Sequence, residues 1–159
     1  MLKVKLITVG TLKEDYLRAA TAEYEKRLSP FCRFEQIQLK EEKLPELPSQ
    51  NEIKAALDKE AIKITEQISS SAFCIALCVE GKQLSSEEFA EKLESISMEK
   101  SEIVLVIGSS YGLSDTVKQR ADMKLSVSKL TFPHQLMRPI LLEALYRAFN
   151  IQKGTKYHK

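Results

Sequence analysis

Little in this chain is of a kind that staples, bends or anchors a protein. Glycine and proline number five each in 159 residues, too few for a disordered or low-complexity chain. Cysteine is scarce and odd in number (Cys32, Cys74, Cys78), with no C-x-x-C pair. That pattern excludes a disulfide framework and reads as buried filler in a reducing cytoplasm, not as metal or redox chemistry. The two histidines, His134 and His158, are far apart in sequence, so no metal site is expected. No apolar run approaches a membrane span. The opening MLKVKLITVG alternates charged and apolar residues like a strand, unlike a signal peptide, so a cytoplasmic protein without membrane contact is expected. A net charge of +2 is too small to announce a nucleic-acid partner by itself.

Two nucleotide motifs are missing as well. The stretch LVIGSSYGLS (105–114) runs from an apolar segment into a loop with glycines at both ends. The dinucleotide fingerprint needs a glycine where Ser110 stands, and no P-loop run G-x-x-x-x-G-K-[ST] exists. These residues alone leave a plain turn and a ligand site both open.

What is present is a regular alternation. Residues 2–9, 33–40, 72–79, 102–108 and 123–128 read as strands, those at 72–79 and 102–108 apolar enough to be covered on both faces. Helices are expected from Glu14 to Leu28, along the stripe Ile53, Leu57, Ala61, Ile64 and Ile68, from the capping-box-like Ser85-Ser86-Glu87-Glu88 to about Ser97, at 114–121, and from His134 to about Ile151. The prolines and mixed charge of 40–50 mark a loop. Strand–helix alternation over 1–159, without repeat or linker, predicts one α/β domain with a mostly parallel sheet. Ligands of such sheets gather at strand carboxyl ends, here Val79-Glu80-Gly81, Gly108–Gly112 and Val127–Pro133.

The last third is more specific. Residues 126–149 read SVSKLTFPHQLMRPILLEALYRAF and the chain ends QKGTKYHK. With VG after the first strand, EYEKRL, EGK-x-x-SSE-x-FA and IG-x-x-x-GL, these motifs span the whole chain. They resemble the ribosomal RNA large-subunit pseudouridine N3-methyltransferase family, within the SPOUT or α/β-knot methyltransferases. The resemblance implies a C-terminal trefoil knot, a homodimer and S-adenosylmethionine as methyl donor, without a metal. It also implies methylation of a pseudouridine N3 in 23S rRNA, on assembled ribosomes. By position it assigns cofactor contacts to Leu77, Gly108, Val127, Ser128, Lys129, Leu130, Thr131 and Phe132, which fall in the three strand-end loops. The family usually has two glycines after the isoleucine. Here the second is Ser109, which would cost about 1 kcal/mol or more if that position needs a positive φ. Pro139 is expected to lie in its helix's first turn, where an N–H has no intrahelical partner.

Methylating N3 requires loss of its proton, so a general base would help. The resemblance makes His158, with Tyr157 beside it, the candidate, against the plain reading of a disordered tail. Glu143 and Arg147, spaced i, i+4, read as a simple ion pair; the resemblance turns them toward the active site. His134 belongs to the supporting shell. No acidic residue follows Glu143, whereas Lys153, Lys156 and Lys159 do; with Arg138 of the LTFPH-x-x-x-R motif they are the candidate RNA contacts. The wide apolar stripe of the last helix, from Leu136 to Phe149, suggests a second buried face and hence a dimer. Two rivals share these features in part: a non-enzymatic RNA-binding or ribosome-assembly factor on the same fold, and a nucleotide-cofactor oxidoreductase, which would need the missing fingerprint.

Overall fold

In the computed structural model, which describes residues 1–159, the apolar runs become the centre of a sheet and the 3.6-periodic stretches its two helical layers. The elements are β1 (Lys3–Val9), α1 (Asp15–Leu28), β2 (Arg33–Leu39), α2 (Gln50–Glu66), β3 (Phe73–Lys82), α3 (Ser86–Glu99), β4 (Glu102–Ile107), α4 (Asp115–Arg120), β5 (Met123–Leu125) and α5 (His134–Gln152). The five strands are all parallel, in the order β2-β1-β4-β3-β5. All their carboxyl ends therefore meet one edge of the sheet.

Side-chain alternation divides the core in two. Val4, Leu6, Ile75, Ile103, Leu105 and Ile107 face α1, α3 and α5. Ile7, Val9, Cys74, Ala76, Val104 and Val106 face α2 and α4. β1 is buried along nearly its whole length despite its lysines. Lys5 manages this by sending its ammonium 2.9 Å to the Gln67 carbonyl and 3.2 Å to Glu102, keeping its stem in the core and its head paired. Ser49 with Glu52, and Ser85 with Glu88, close reciprocal capping boxes at the starts of α2 and α3.

Three expectations need correction. β5 ends at Leu125, not Ser128, because the serines that follow bond locally: Ser126 Oγ donates to the Ser128 carbonyl at 2.9 Å, and Ser128 Oγ accepts from Leu130 N–H at 3.0 Å. Such short side-chain bonds compete with a ladder. Pro139 lies inside α5, in its second turn. The lost bond to the Gln135 carbonyl, about 3 kcal/mol for an interior proline, is partly offset by burial of the ring. The apolar width of α5 is largely used within the monomer, since the helix packs against α1 on one flank, α3 on the other and the sheet beneath.

The core makes two contrasting stability predictions, both read by urea unfolding. Leu105→Ala, at a fully buried site on a central strand, should cost about 2–5 kcal/mol. Ser85→Ala, removing only the α3 cap, should cost about 1 kcal/mol.

Candidate active site

The carboxyl edge of the sheet is held together by backbone packed on backbone. A Cβ at Gly108 would lie 2.2 Å from the Gly112 carbonyl oxygen, and one at Gly81 would lie 2.7 Å from the Leu125 carbonyl carbon. Neither position has room for a side chain, and both loops depend on that. Gly112 supplies the positive φ of +86° that folds the loop after β4 back on itself, its N–H donating to the Ser109 carbonyl at 2.8 Å. No non-glycine residue has a positive φ. Ser109 therefore carries none of the strain that its departure from the double glycine suggested. Its side chain is buried toward α2, where Glu60 accepts from the Glu42 N–H at 2.9 Å.

Between these loops lies a cavity of about 340 Å³. Leu77, Ile107, Leu125, Leu130, Phe132 and Met137 supply its apolar wall. Glu80 and Lys118, also on the wall, form an ion pair. That pair holds the Glu80 carboxyl below its ordinary range and the Lys118 ammonium above its own. His134, at the start of α5, completes the wall, and burial pushes its imidazole below the usual value, with Arg138 and Lys13 acting in the same direction and Glu41 opposing them.

Arg138 lies just behind this histidine and is fully buried. Its Nη2 donates to the Gly10 carbonyl at 2.6 Å and approaches the Val9 carbonyl at 3.4 Å, while Nε and Nη1 are buried without a protein partner. Arg138 thus ties the end of β1 to the start of α5. It is not an exposed RNA contact, which corrects the expectation from its motif; the backbone carbonyls of Val9 and Gly10 hold the guanidinium inside. Lys153, Lys156 and Lys159 are exposed as expected.

The C-terminal tail is folded onto α5 and α3. Arg147 donates to Glu143 Oε1 from Nε at 2.8 Å and from Nη2 at 2.6 Å. Tyr157 O–H donates to Glu143 Oε2 at 2.7 Å, and its ring packs edge-on against Tyr146 and under the Arg147 guanidinium. Burial, followed by the bond to Glu143, pushes the Tyr157 phenol up to about 12. His158 stands between Arg147 Nη1, 3.3 Å from Nδ1, and Glu87 Oε1, 2.8 Å from Nε2. Thr155 Oγ1 anchors the turn on Asn150 Oδ1 at 2.6 Å.

A family model described as "Predicted SPOUT methyltransferase" matches residues 2–158. The chain belongs to the SPOUT methyltransferase family. It is 52% identical over 159 residues to the ribosomal RNA large subunit methyltransferase H of a Streptococcus thermophilus strain, covering 99% of this chain and 100% of that protein. It is 49% identical, with the same coverage, to the protein of that name from Leuconostoc mesenteroides. Among solved structures, a probable methylase family protein from Haemophilus influenzae superposes with a TM-score of 0.54 over 99% of this chain and 70% of the other. At 15% identity that likeness shows the fold alone.

Within this SPOUT chain, seven of the eight expected cofactor residues line the cavity; Lys129 does not. Glu143, Arg147, Tyr157 and His158 come together as one network, yet none of them is on the cavity wall. Sequence reasoning missed Lys118 and Met137. The signal for Lys118 was present, since it sits one turn past the Ser114 cap of the helix that leaves the glycine loop. No group of three or more His, Cys, Asp or Glu side chains is arranged to hold a metal ion, and burial pushes the Cys32 and Cys74 thiols up to about 11.

The loop geometry predicts a cost at each of two adjacent residues, by different routes. Gly108→Ala must displace the 109–113 segment, so hydrogen exchange there should quicken. Ser109→Gly relieves no strain and should instead lower stability by about 0.4–1 kcal/mol, through greater freedom of the unfolded chain. The depressed His134 imidazole makes a pH prediction. As pH falls below 6.5 the unfolded chain takes up a proton before the folded one does. His134 therefore contributes stability above that pH and loses it as pH falls through the folded value. In urea titrations from about pH 7.5 to 5, His134→Gln should show a smaller fall in midpoint than the wild type.

Proposed function

We propose that this protein transfers a methyl group from S-adenosylmethionine to N3 of a pseudouridine in 23S rRNA, on the assembled ribosome and as a homodimer. The observation that carries the reading is the cavity at the strand ends, bounded by the three loops to which the cofactor contacts were assigned. The names of the relatives from Streptococcus thermophilus and Leuconostoc mesenteroides support the RNA class of substrate. The cavity fits the donor: its size is that of a small-molecule site, its wall is largely apolar, and Glu80 and Lys118 offer both signs of charge to a ligand ending in an ammonium and a carboxylate. When bound there, S-adenosylmethionine supplies an electrophilic methyl group.

The protein's remaining task is to set the acceptor nitrogen in line, keep water out and receive the N3 proton. The loops at 108–113 and 126–132 form the dry wall. Val127 and Leu130, exposed at its edge, are available to cover the base. His158 is the proton acceptor in this reading, and Arg147, once turned from the ring, holds a uracil or phosphate oxygen. Because the tail network lies off the wall of its own chain's cavity, a second copy is the natural source of the tail that completes each site. That requirement, more than the width of α5, supports the homodimer. The trefoil knot belongs to the same reading: the loops at 77–81 and 108–113, pressed onto β5 and the segment after it, are where the chain's end would be threaded.

Calorimetry should detect S-adenosylmethionine binding and no ATP or NAD binding. Tritiated methyl should pass to ribosomes from a strain lacking the modification. Ribosome binding with neither donor binding nor methyl transfer would identify an RNA-binding protein on the same fold, and no donor binding would overturn the reading of the cavity. His158→Ala should fold and bind the donor yet lower the single-turnover rate by about 10²–10⁴-fold, the usual contribution of a positioned base. Lys156→Ala and Lys159→Ala should each flatten the salt dependence of ribosome binding by up to about one unit of slope.

A further inference from the structure

Glu87 has no place in the functions described so far. It lies in the first turn of α3, but the capping box there is closed by Ser85 and Glu88. Its side chain is largely exposed, and its remaining tie to the helix is that of an acidic first-turn residue near its own N–H and the Ser85 hydroxyl. It accepts instead from His158, 71 residues away, with Oε1 at 2.8 Å from Nε2. The carboxyl is held below its ordinary range first by this bond to the His158 ring.

The two neighbours of the ring favour one placement of the proton on the neutral imidazole. A guanidinium can only donate, so Arg147 Nη1, 3.3 Å away, requires Nδ1 to be the bare, accepting nitrogen. An ionised carboxylate can only accept, so Glu87 requires Nε2 to carry the hydrogen. Both contacts are hydrogen bonds in one neutral tautomer alone. The same arrangement has a chemical consequence: the lone pair lies on the side of Arg147, and the carboxylate lies on the opposite side of the ring.

We propose that Glu87 is a positioning residue for methyl transfer, fixing His158 as the Nε2–H tautomer so that Nδ1 is the nitrogen that takes the N3 proton. This rests on the reading of His158 as proton acceptor. In the step, Arg147 moves from Nδ1 to an oxygen of the arriving RNA. The bond from N3 to the methyl carbon forms as the carbon–sulfur bond of the donor breaks, and the sulfonium becomes a neutral thioether. The N3 proton passes to Nδ1, and the resulting imidazolium faces the Glu87 carboxylate through its Nε2–H. Carboxylate, imidazole and proton donor stand in the relation found in hydrolase triads, where the acid orients the ring without itself being protonated.

The test has two readouts. Long-range ¹H–¹⁵N spectra of the free full-length protein at alkaline pH report which ring nitrogen of His158 is protonated. Single-turnover transfer to ribosomes, with donor affinity measured separately, reports the function. The wild type should show the Nε2–H form. Glu87→Ala, which leaves the capping box intact, should mix the tautomers and lower the rate roughly tenfold at unchanged donor affinity, short of the loss in His158→Ala. Glu87→Gln, whose amide oxygen still accepts, should keep the tautomer and recover part of the rate. A wild-type ring protonated on Nδ1, or a Glu87→Ala protein with unchanged tautomer and rate, would overturn the proposal. Wild-type rate in His158→Ala would overturn it together with the proton-acceptor reading. Failure of the wild type to bind the donor would fall on the reading of the cavity, while the spectra of the free protein still decide the Glu87 contact.

Discussion

The site depends on backbone approaching backbone more closely than any side chain permits. At Gly108 the returning loop brings the Gly112 carbonyl within 2.2 Å of where a Cβ would stand, and at Gly81 the end of β3 presses on β5 at 2.7 Å. These two approaches draw three strand ends together into one wall. A parallel sheet already places its carboxyl ends on a common edge, but it leaves neighbouring loops free to diverge. The bare backbone at positions 81 and 108 removes that freedom. The apolar lining then follows from the strands, because Ile107 and Leu125 are the last residues of β4 and β5 and Leu77 follows the last β3–β4 pair, Ala76 with Val106, where the core meets the cavity.

A second constraint acts from behind. A buried guanidinium is expensive unless its hydrogens are accepted, and Arg138 meets part of that demand through Nη2, which reaches the Val9 and Gly10 carbonyls across more than 120 residues of chain. The gain is a rigid link between the first strand and the helix that carries His134 and Met137. The charge of Arg138 also bears on His134, alongside burial. The wall residue nearest the end of β1 is in consequence biased toward its neutral form, which suits an apolar-walled pocket.

Much of this fold was legible in the sequence, because local pattern and final environment agreed. The β-branched runs at 3–9 and 102–107 became central strands, and the helical stripes became the faces that meet them. The strand-end rule, applied before any resemblance, pointed to the loops that form the cavity. Legibility failed where a residue's fate is set by a distant partner. Lys5 looks like the polar half of a surface strand, yet it is buried because Gln67 and Glu102 wait at the end of its stem. Arg138 likewise looks like a surface cation and is held inside by the distant carbonyls of Val9 and Gly10. Nothing within YHK announces that Tyr157 will pack on Tyr146 or that His158 will meet Glu87. Those contacts arise from the return of the chain past Gly154, whose φ of +65° makes the reversal possible. The short β5 was misjudged because serine's competing local bonds are invisible to an apolar periodicity.

The two histidines show why position on the cavity wall is not enough to make a base. His134 stands on the wall, but its surroundings oppose a positive charge: burial first, then Arg138 and Lys13, with only Glu41 against them. A group that must hold a transferred proton in the product state needs an anion beside it and a lone pair pointing outward from that anion. His158 has both in the contact with Glu87 and the opposed Nδ1. What it lacks is proximity to its own chain's cavity. Under the proposed function, dividing donor pocket and proton acceptor between two places in one chain would have a physical advantage for an enzyme working on a large folded RNA. The acceptor would then be assembled only when tail, pocket and substrate converge, and a donor held alone in the pocket would meet no base.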